Sequence, residues 1–186
     1  ARLARLREEV ERLVSWQEHG GLYSYPLYPD GTGRPPDLSN ALFAALALRA
    51  AARDGIEVEP EVWAGLIEGA IACQERRDRT RSGGSTPAGF GYRTDWHATG
   101  SMTTAGLGIL LMGREALGKR MDRRLEKELE ESLESGLAWV ASRMDWRANP
   151  GEKSWQFYWL YGVERLGSTH RREVLGKVPW YPSGAE

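Results

Sequence analysis

The sequence predicts an all-α protein built from three helical hairpins, each with one outer and one inner helix. Segments that are charged on one side and apolar on the other alternate along the chain with segments that are apolar almost all the way round. Apolar residues recur at helical spacing in both kinds of segment. Because a helix that is apolar all round belongs in an interior, the second kind is expected to lie inside a layer made by the first.

The three outer helices each have one apolar stripe and one charged face. In the first, the stripe consists of Leu3, Leu6, Val10, Leu13 and Gln17. The second begins after Glu59 with Pro60, which the first turn of a helix tolerates, and its stripe consists of Trp63, Leu66, Ile67, Ala70, Ile71 and Gln74. The third is the most highly charged, and its stripe consists of Met121, Leu125, Leu129, Leu133, Leu137 and Val140. Each is expected to keep one face in water.

The three inner helices carry almost no charge. The first runs from Leu38 to Ala52 with Arg49 as its one charge, and the second, from Met102 to Met112, has none. The third, from Trp155 to Leu166, is charged only near its end. A serine in the N-cap register stands near the start of each, at Ser39, Ser101 and Ser154.

The turns that follow the first two outer helices have similar sequences, which indicates an internal repeat. Trp16-Gln17 precedes Gly20-Gly21-Leu22-Tyr23-Ser24-Tyr25. Cys73-Gln74 precedes, after an insertion, Gly89-Phe90-Gly91-Tyr92. The third unit keeps Trp139 and Trp146 but lacks the glutamine and the glycine turn.

These turns resemble the QW-type repeats of the squalene–hopene cyclase and protein prenyltransferase superfamily, whose members fold as α/α toroids. Four more segments resemble bacterial prenyltransferase/squalene-oxidase-repeat proteins, namely Asp37-Leu-Ser-Asn40, Thr99-Gly-Ser-Met-Thr-Thr-Ala-Gly106, Leu160-Tyr-Gly-Val-Glu-Arg165 and Trp180-Tyr-Pro-Ser-Gly-Ala185. The resemblance covers nearly the whole chain and is specific for fold rather than for activity. It implies a toroid of six helix pairs, of which this chain has three.

The pattern predicts a single all-helical domain over residues 1–186, with hairpins at approximately 1–54, 59–118 and 119–168 and an irregular C-terminal tail. A half-ring leaves the flanks of its first and last hairpins uncovered, and large exposed apolar patches usually mark interfaces. We therefore expect self-association or a missing N-terminal half to complete the ring.

Composition argues against several classes of partner. A formal net charge of −1 gives no electrostatic basis for binding nucleic acid. Arg49 and Arg53 interrupt the best candidate for a membrane span, so no transmembrane segment is expected. The single cysteine, Cys73, excludes an intrachain disulfide, and nothing indicates the cellular compartment.

The catalytic motifs of the resembled families are absent, namely the Asp-x-Asp-Asp acid, the magnesium-binding Asp-Asp-x-x-Asp and the zinc-binding Asp, Cys and His set. The favoured interpretation is a domain without recognisable catalysis, metal or cofactor that binds a hydrophobic or isoprenoid small molecule or a protein partner. The alternative is a terpenoid cyclase or prenyltransferase-type enzyme whose catalytic residues are completed by a missing half or a second subunit.

Two polar pairs are the candidates for chemistry. Asp95 and His97 flank Trp96 in a loop and form either an acid–base couple or structural contacts. Asp37 and Asn40 lie at the start of an inner helix, where they either cap the helix or orient a polar ligand. Four arginines between positions 76 and 81 form either a phosphate-binding cluster or a solvated turn.

The third inner helix supplies the candidate ligand-binding aromatic residues, which are Trp155, Tyr158 and Tyr161. Glu164 and Arg165 follow the aromatic run and are candidates to anchor a ligand or to form a structural ion pair. Because adjacent residues of a helix do not face each other, their partners are expected on other elements, with Arg49 as a partner for Glu164.

Overall fold

The computed structural model describes residues 2–26, 31–75, 86–170, 174–175 and 178–179, and everything below concerns these residues. They form α1 (Arg2–Ser15), α2 (Leu38–Arg53), α3 (Pro60–Ala72), α4 (Gly100–Leu117), α5 (Arg123–Arg143) and α6 (Gln156–His170). A 3-10 turn, Gly118–Arg120, follows α4, and the two-residue strands β1 (Val174–Leu175) and β2 (Val178–Pro179) pair antiparallel. The all-α class predicted from the sequence is confirmed. No helix in these ranges is long and apolar enough to cross a membrane.

The helices from α2 onward form two series of contacts, one of α2, α4 and α6 and the other of α3 and α5. α2 packs against α4, and α4 packs against α6. α3 and α5 contact each other and both contact α4, whereas α1 packs against α2. α4 is therefore in contact with four other helices.

The burial of α4 follows from its sequence. Every residue from Gly100 to Leu107 is buried, as are most of the residues that follow. The helix carries no charge before Arg114, so burying it removes apolar surface from water at a gain of about 25 cal/mol per Å². Gly106 allows the ring of Phe90 to lie directly on the helix, because a Cβ at this position would overlap that ring.

The expectation that α6 is enclosed on all sides is wrong. Trp159 and Val163 are buried on one face of the helix, whereas Phe157 is 85% exposed and Tyr161 is 40% exposed on another. The reason is that α6 ends the series α2, α4, α6, so it packs extensively on α4 while no later helix of the described chain covers its free side. An apolar sequence therefore did not guarantee an interior position.

The prediction that Ser39 and Ser101 cap the first two inner helices is also wrong. Asp37 caps α2 by accepting a hydrogen bond from the backbone N of Asn40 at 2.8 Å. Thr99 caps α4 by accepting one from the backbone N of Met102 at 3.3 Å. Both capping residues have the extended backbone that precedes a helix, with ψ of 160°. Ser39 and Ser101 lie two residues later, inside the first turn, and are free to bond elsewhere.

Two glutamines make equivalent cross-links between hairpins. The side-chain Nε2 of Gln17 donates to the carbonyl oxygens of Gly21 at 3.0 Å and Val62 at 2.9 Å. The same atom of Gln74 donates to the carbonyl oxygens of Ala88 at 2.9 Å and Ser132 at 3.0 Å. Each glutamine therefore joins the turn after its own helix to the next charged helix of the chain.

Backbone hydrogen bonds hold the turns over the starts of α2 and α4. One set joins each capping residue to the preceding turn, in the pairs Asp37 N to Tyr23 O at 2.9 Å and Thr99 N to Phe90 O at 3.1 Å. A second set joins the next residue to the turn of the following hairpin, in the pairs Leu38 N to Tyr92 O at 3.0 Å and Gly100 N to Pro150 O at 2.7 Å. The helix starts and the turns therefore form one connected end of the molecule.

The first turn depends on a close backbone approach, which provides a stability prediction. Gly21 has φ of +78°, and a Cβ there would collide with the carbonyl oxygen of Gly65. We expect Gly21→Ala to lower the free energy of unfolding by about 3 kcal/mol or more, since overpacking costs about 1–3 kcal/mol and a left-handed backbone adds about 1–2.

Gly55 is the matched control because its φ is +81° and nothing lies within 4 Å of its Cβ position. Gly55→Ala should cost about 1–2 kcal/mol, from the backbone conformation alone. Urea denaturation of both variants measures the difference. Equal losses of stability would show that the contact with Gly65 does not limit the size of the residue at position 21.

Candidate functional site

A cavity of about 340 Å³ opens at the end of the molecule where α2, α4 and α6 begin. Ser39 contributes from α2, Ser101 and Met102 contribute from α4, and Tyr158 contributes from α6. Its volume lies at the lower end of the range for small-molecule sites. The connected turns described above supply the remaining walls.

Five aromatic side chains dominate these walls, and all of them are tyrosine or tryptophan, namely Tyr25, Tyr92, Trp96, Trp155 and Tyr158. Such residues combine a large apolar surface with one polar atom. Trp96 is 51% exposed and Trp155 is 71% exposed, so the cavity is open to solvent along the side where they lie. The arrangement can enclose an apolar molecule while leaving polar atoms available for hydrogen bonds.

Tyr158 connects the α6 wall to α2. Its hydroxyl lies 3.1 Å from the Ser39 hydroxyl, and its ring stacks on Phe43 with a centroid separation of 6.3 Å and an interplanar angle of 7°. Burial raises the pKa of Tyr158, the hydrogen bond with Ser39 opposes the rise, and the nearby charge of Asp37 adds to it. The hydroxyl therefore stays protonated and remains both a donor and an acceptor.

Asp37 lies behind the cavity wall and is completely buried. Its Oδ1 accepts from the backbone N of Asn40 at 2.8 Å, and its Oδ2 accepts from the Asn40 side-chain Nδ2 at 2.9 Å. Burial is the main cause that raises the pKa of Tyr92, and hydrogen bonding between the Tyr92 hydroxyl and Asp37 raises it further. Asp37 thus caps α2 and Asn40 holds its carboxylate, and neither residue lines the cavity. The Asp37 carboxylate nevertheless adds to the rise in pKa of Tyr92 and Tyr158, which do line the cavity.

The structure separates Asp95 from His97. His97 is exposed and lines the cavity, whereas Asp95 is exposed and does not. Asp95 has φ of +63°, a left-handed conformation that aspartate adopts more readily than most residues, in the turn closed by Trp96 N to Arg93 O at 3.1 Å. Among the described contacts there is no hydrogen bond between the two side chains.

Trp155 has the most unusual backbone of the cavity. Its φ is +66°, and its carbonyl oxygen accepts from the backbone N of Trp159 at 3.0 Å as α6 begins. A bulky residue in the left-handed region costs about 1–2 kcal/mol. Because the ring is mostly exposed, burial does not offset that cost. Trp155 therefore combines a strained backbone with an exposed ring in the cavity wall.

The expected pairing of Glu164 with Arg49 is wrong. Arg165 donates from Nε to Glu164 Oε2 at 2.7 Å and from Nη2 to Oε1 at 2.8 Å, and its guanidinium lies 5.7 Å from the Tyr161 ring centre. Arg49 instead donates from Nε to Glu115 Oε2 at 2.9 Å. Adjacent side chains can meet here because both are substantially exposed, so they bend along the helix surface without a penalty for burial. Neither they nor Tyr161 line the cavity.

Sequence reasoning placed Trp155, Tyr158 and His97 in the site and missed the contributions of the turns. Tyr25 and Tyr92 both end the glycine-aromatic turns of the repeat, and that equivalence was the signal that could have found them. Glu152 had no such signal. The arginines between positions 76 and 81 and the segment 180–185 lie outside the described residues.

The polar lining of the cavity limits its chemistry. Glu152 is the single carboxylate among the described lining residues, so they do not supply a pair of converging acids. In the same part of the chain no group of three or more His, Cys, Asp or Glu side chains is placed to hold a metal ion. The arrangement is suited to binding a molecule by packing and hydrogen bonding.

Cys73 lies in the core near Asp37 and provides a labelling prediction. It is 1% exposed, and burial raises its pKa from 9.0 to about 11, with a hydrogen bond from Thr94 opposing the rise and Asp37 adding to it. At about pH 8, iodoacetamide should label the folded protein at least about 100-fold more slowly than the urea-unfolded protein, because the thiolate is the reacting form.

The sequence contains one cysteine, so Cys73→Ser gives the background of the labelling assay. The pKa of the Cys73 thiol is higher in the folded protein than in the unfolded protein. The protonated thiol therefore makes its full contribution to the free energy of unfolding below pH 9, and this contribution is lost as the pH rises towards about 11. Rapid labelling of the folded protein would contradict the buried position.

Comparisons of this chain with family models, with curated proteins and with solved structures find no match.

Proposed function

We propose that this chain is a helical-repeat binding domain that takes an apolar small molecule into the aromatic cavity at the starts of α2, α4 and α6. The observation that carries the proposal is Trp155, which keeps a strained backbone while presenting a mostly exposed ring to the cavity. The other four aromatic walls supply apolar contact area. The isoprenoids implied by the resemblance belong to this ligand class.

We also propose that the three hairpins form an arc of the α/α toroid type. The two series of contacts, α2 with α4 and α6, and α3 with α5, support this arrangement. In such an arc, the helices of one series begin at the same end, which is where the cavity opens. The fold and the proposed site are therefore linked through the common position of the helix starts.

A fluorescence titration with N-phenyl-1-naphthylamine, a neutral apolar dye, tests the proposal. The dye should bind with a stoichiometry of one, and Trp155→Ala should weaken binding at least about tenfold, corresponding to about 1.4 kcal/mol of lost contact. Trp155→Gly should weaken binding as much without loss of stability, because glycine adopts the left-handed backbone freely.

Phe157→Ala is the matched control, since Phe157 is an aromatic residue two positions after Trp155 that is 85% exposed and does not line the cavity. Its affinity for the dye should stay within about twofold of the wild-type value. Failure of the dye to bind, or equal losses in Phe157→Ala and Trp155→Ala, would overturn the proposed site.

A further inference from the structure

Three residues at the start of α6 give one part of the cavity lining a distinct electrostatic character. Trp155, Tyr158 and Glu152 lie together at the start of α6, and the Glu152 carboxylate is held there because its Oε1 accepts from the backbone N of Ser154 at 3.2 Å. Among the described residues no arginine or lysine lines the cavity. The lining therefore combines electron-rich ring faces with a carboxylate at one place.

The rings that the earlier turns contribute to the cavity already contact cations that belong to the chain. The guanidinium of Arg93 lies 5.3 Å from the Tyr92 ring centre and 5.4 Å from that of Trp96, and Arg34 lies 5.2 Å from that of Tyr25. Neither arginine lines the cavity. Tyr25, Tyr92 and Trp96 are therefore already in contact with a cation of the chain, whereas Trp155 and Tyr158 have no such contact among those described.

A buried negative charge lies behind the same cavity. Asp37 is completely buried, and no arginine, lysine or histidine of the described chain forms a salt bridge with it. Burial is the main cause that raises the pKa of Tyr92 and of Tyr158, and the charge of Asp37 adds to the rise at both walls. A buried charge is screened by salt much less than a surface charge, so its field persists at physiological ionic strength.

Helix starts ordinarily favour anions because their first backbone N–H groups lack partners. At the starts of α2 and α4 those donors are already bonded within the chain. In α2, Leu38 N bonds to Tyr92 O and Asn40 N bonds to Asp37, while in α4 the bonded pairs are Gly100 N to Pro150 O, Ser101 N to Asn149 Oδ1 and Met102 N to Thr99 Oγ1. An anion would therefore find these donors occupied.

From these contacts we infer that the cavity binds an organic ammonium ion, with its charged head between Trp155, Tyr158 and Glu152 and its apolar body against Tyr25, Tyr92 and Trp96. This inference rests on the proposed function and names the ligand class for the same site. Aromatic faces attract an alkylated ammonium through their quadrupole, and the carboxylate adds a direct charge interaction.

Three probes of similar shape, competing with the bound dye, test the inference. Phenyltrimethylammonium should displace the dye at a concentration at least about tenfold lower than tert-butylbenzene, which is its neutral isostere, and benzoate should not displace it. Stronger displacement by benzoate, or equal displacement by the two isosteres, would overturn the charge assignment while leaving the apolar site intact. Failure of the dye itself to bind would instead overturn the proposed function.

Charge-neutralising variants test which carboxylates attract the ammonium ion. Glu152→Gln and Asp37→Asn should each weaken phenyltrimethylammonium at least about fivefold and leave tert-butylbenzene within about twofold. Asparagine caps helices as well as aspartate, so Asp37→Asn should keep α2 intact. Glu126→Gln, an exposed change on α5 with the same change in net charge, should alter neither affinity. If both variants weakened the binding of phenyltrimethylammonium and of tert-butylbenzene equally, Glu152 and Asp37 would act through the shape of the cavity rather than through their charge.

Discussion

The structure depends on how the backbone N–H groups at the starts of α2 and α4 find acceptors. A buried donor without a partner costs about 1–3 kcal/mol, and these starts lie against other elements rather than in open solvent. Asp37 and Thr99 accept some of the bonds, and the turns that cross above the helices accept the others. Satisfying these donors therefore fixes the turns over the helix ends, and the turns become the walls of the cavity.

The same requirement connects stability to the proposed binding. Asp37 stabilises α2 as its cap, and its negative charge acts on Tyr92 and Tyr158 in the cavity wall. Trp155 shows the opposite relation, because its left-handed backbone costs stability and its exposed ring recovers little of it. Asp37 thus contributes to both the fold and the candidate site, whereas Trp155 contributes to the candidate site and lowers the stability of the fold.

The helices were predictable because each depends on a local pattern. Apolar spacing located all six, and the Glu59-Pro60 start of α3 follows from the tolerance of the first turn for proline. The prediction of serine caps was wrong for α2 and α4. A capping residue requires an extended backbone, and the sequence alone did not show that these helices begin before Ser39 and Ser101. The proposed partner of Glu164 was wrong because exposure, which decides whether adjacent charges can meet, was not known.

The amino-acid sequence was enough to predict the all-α class, the alternation of charged and apolar helices, and the aromatic character of the α6 start. Tertiary structure alone decided that Tyr25, Tyr92 and Glu152 join Trp155 and Tyr158 around one cavity. It also decided that Phe157 stays exposed although its helix is apolar. The physical reason is that helical periodicity is a short-range property of the chain, whereas the convergence and burial of side chains depend on which distant elements pack against them.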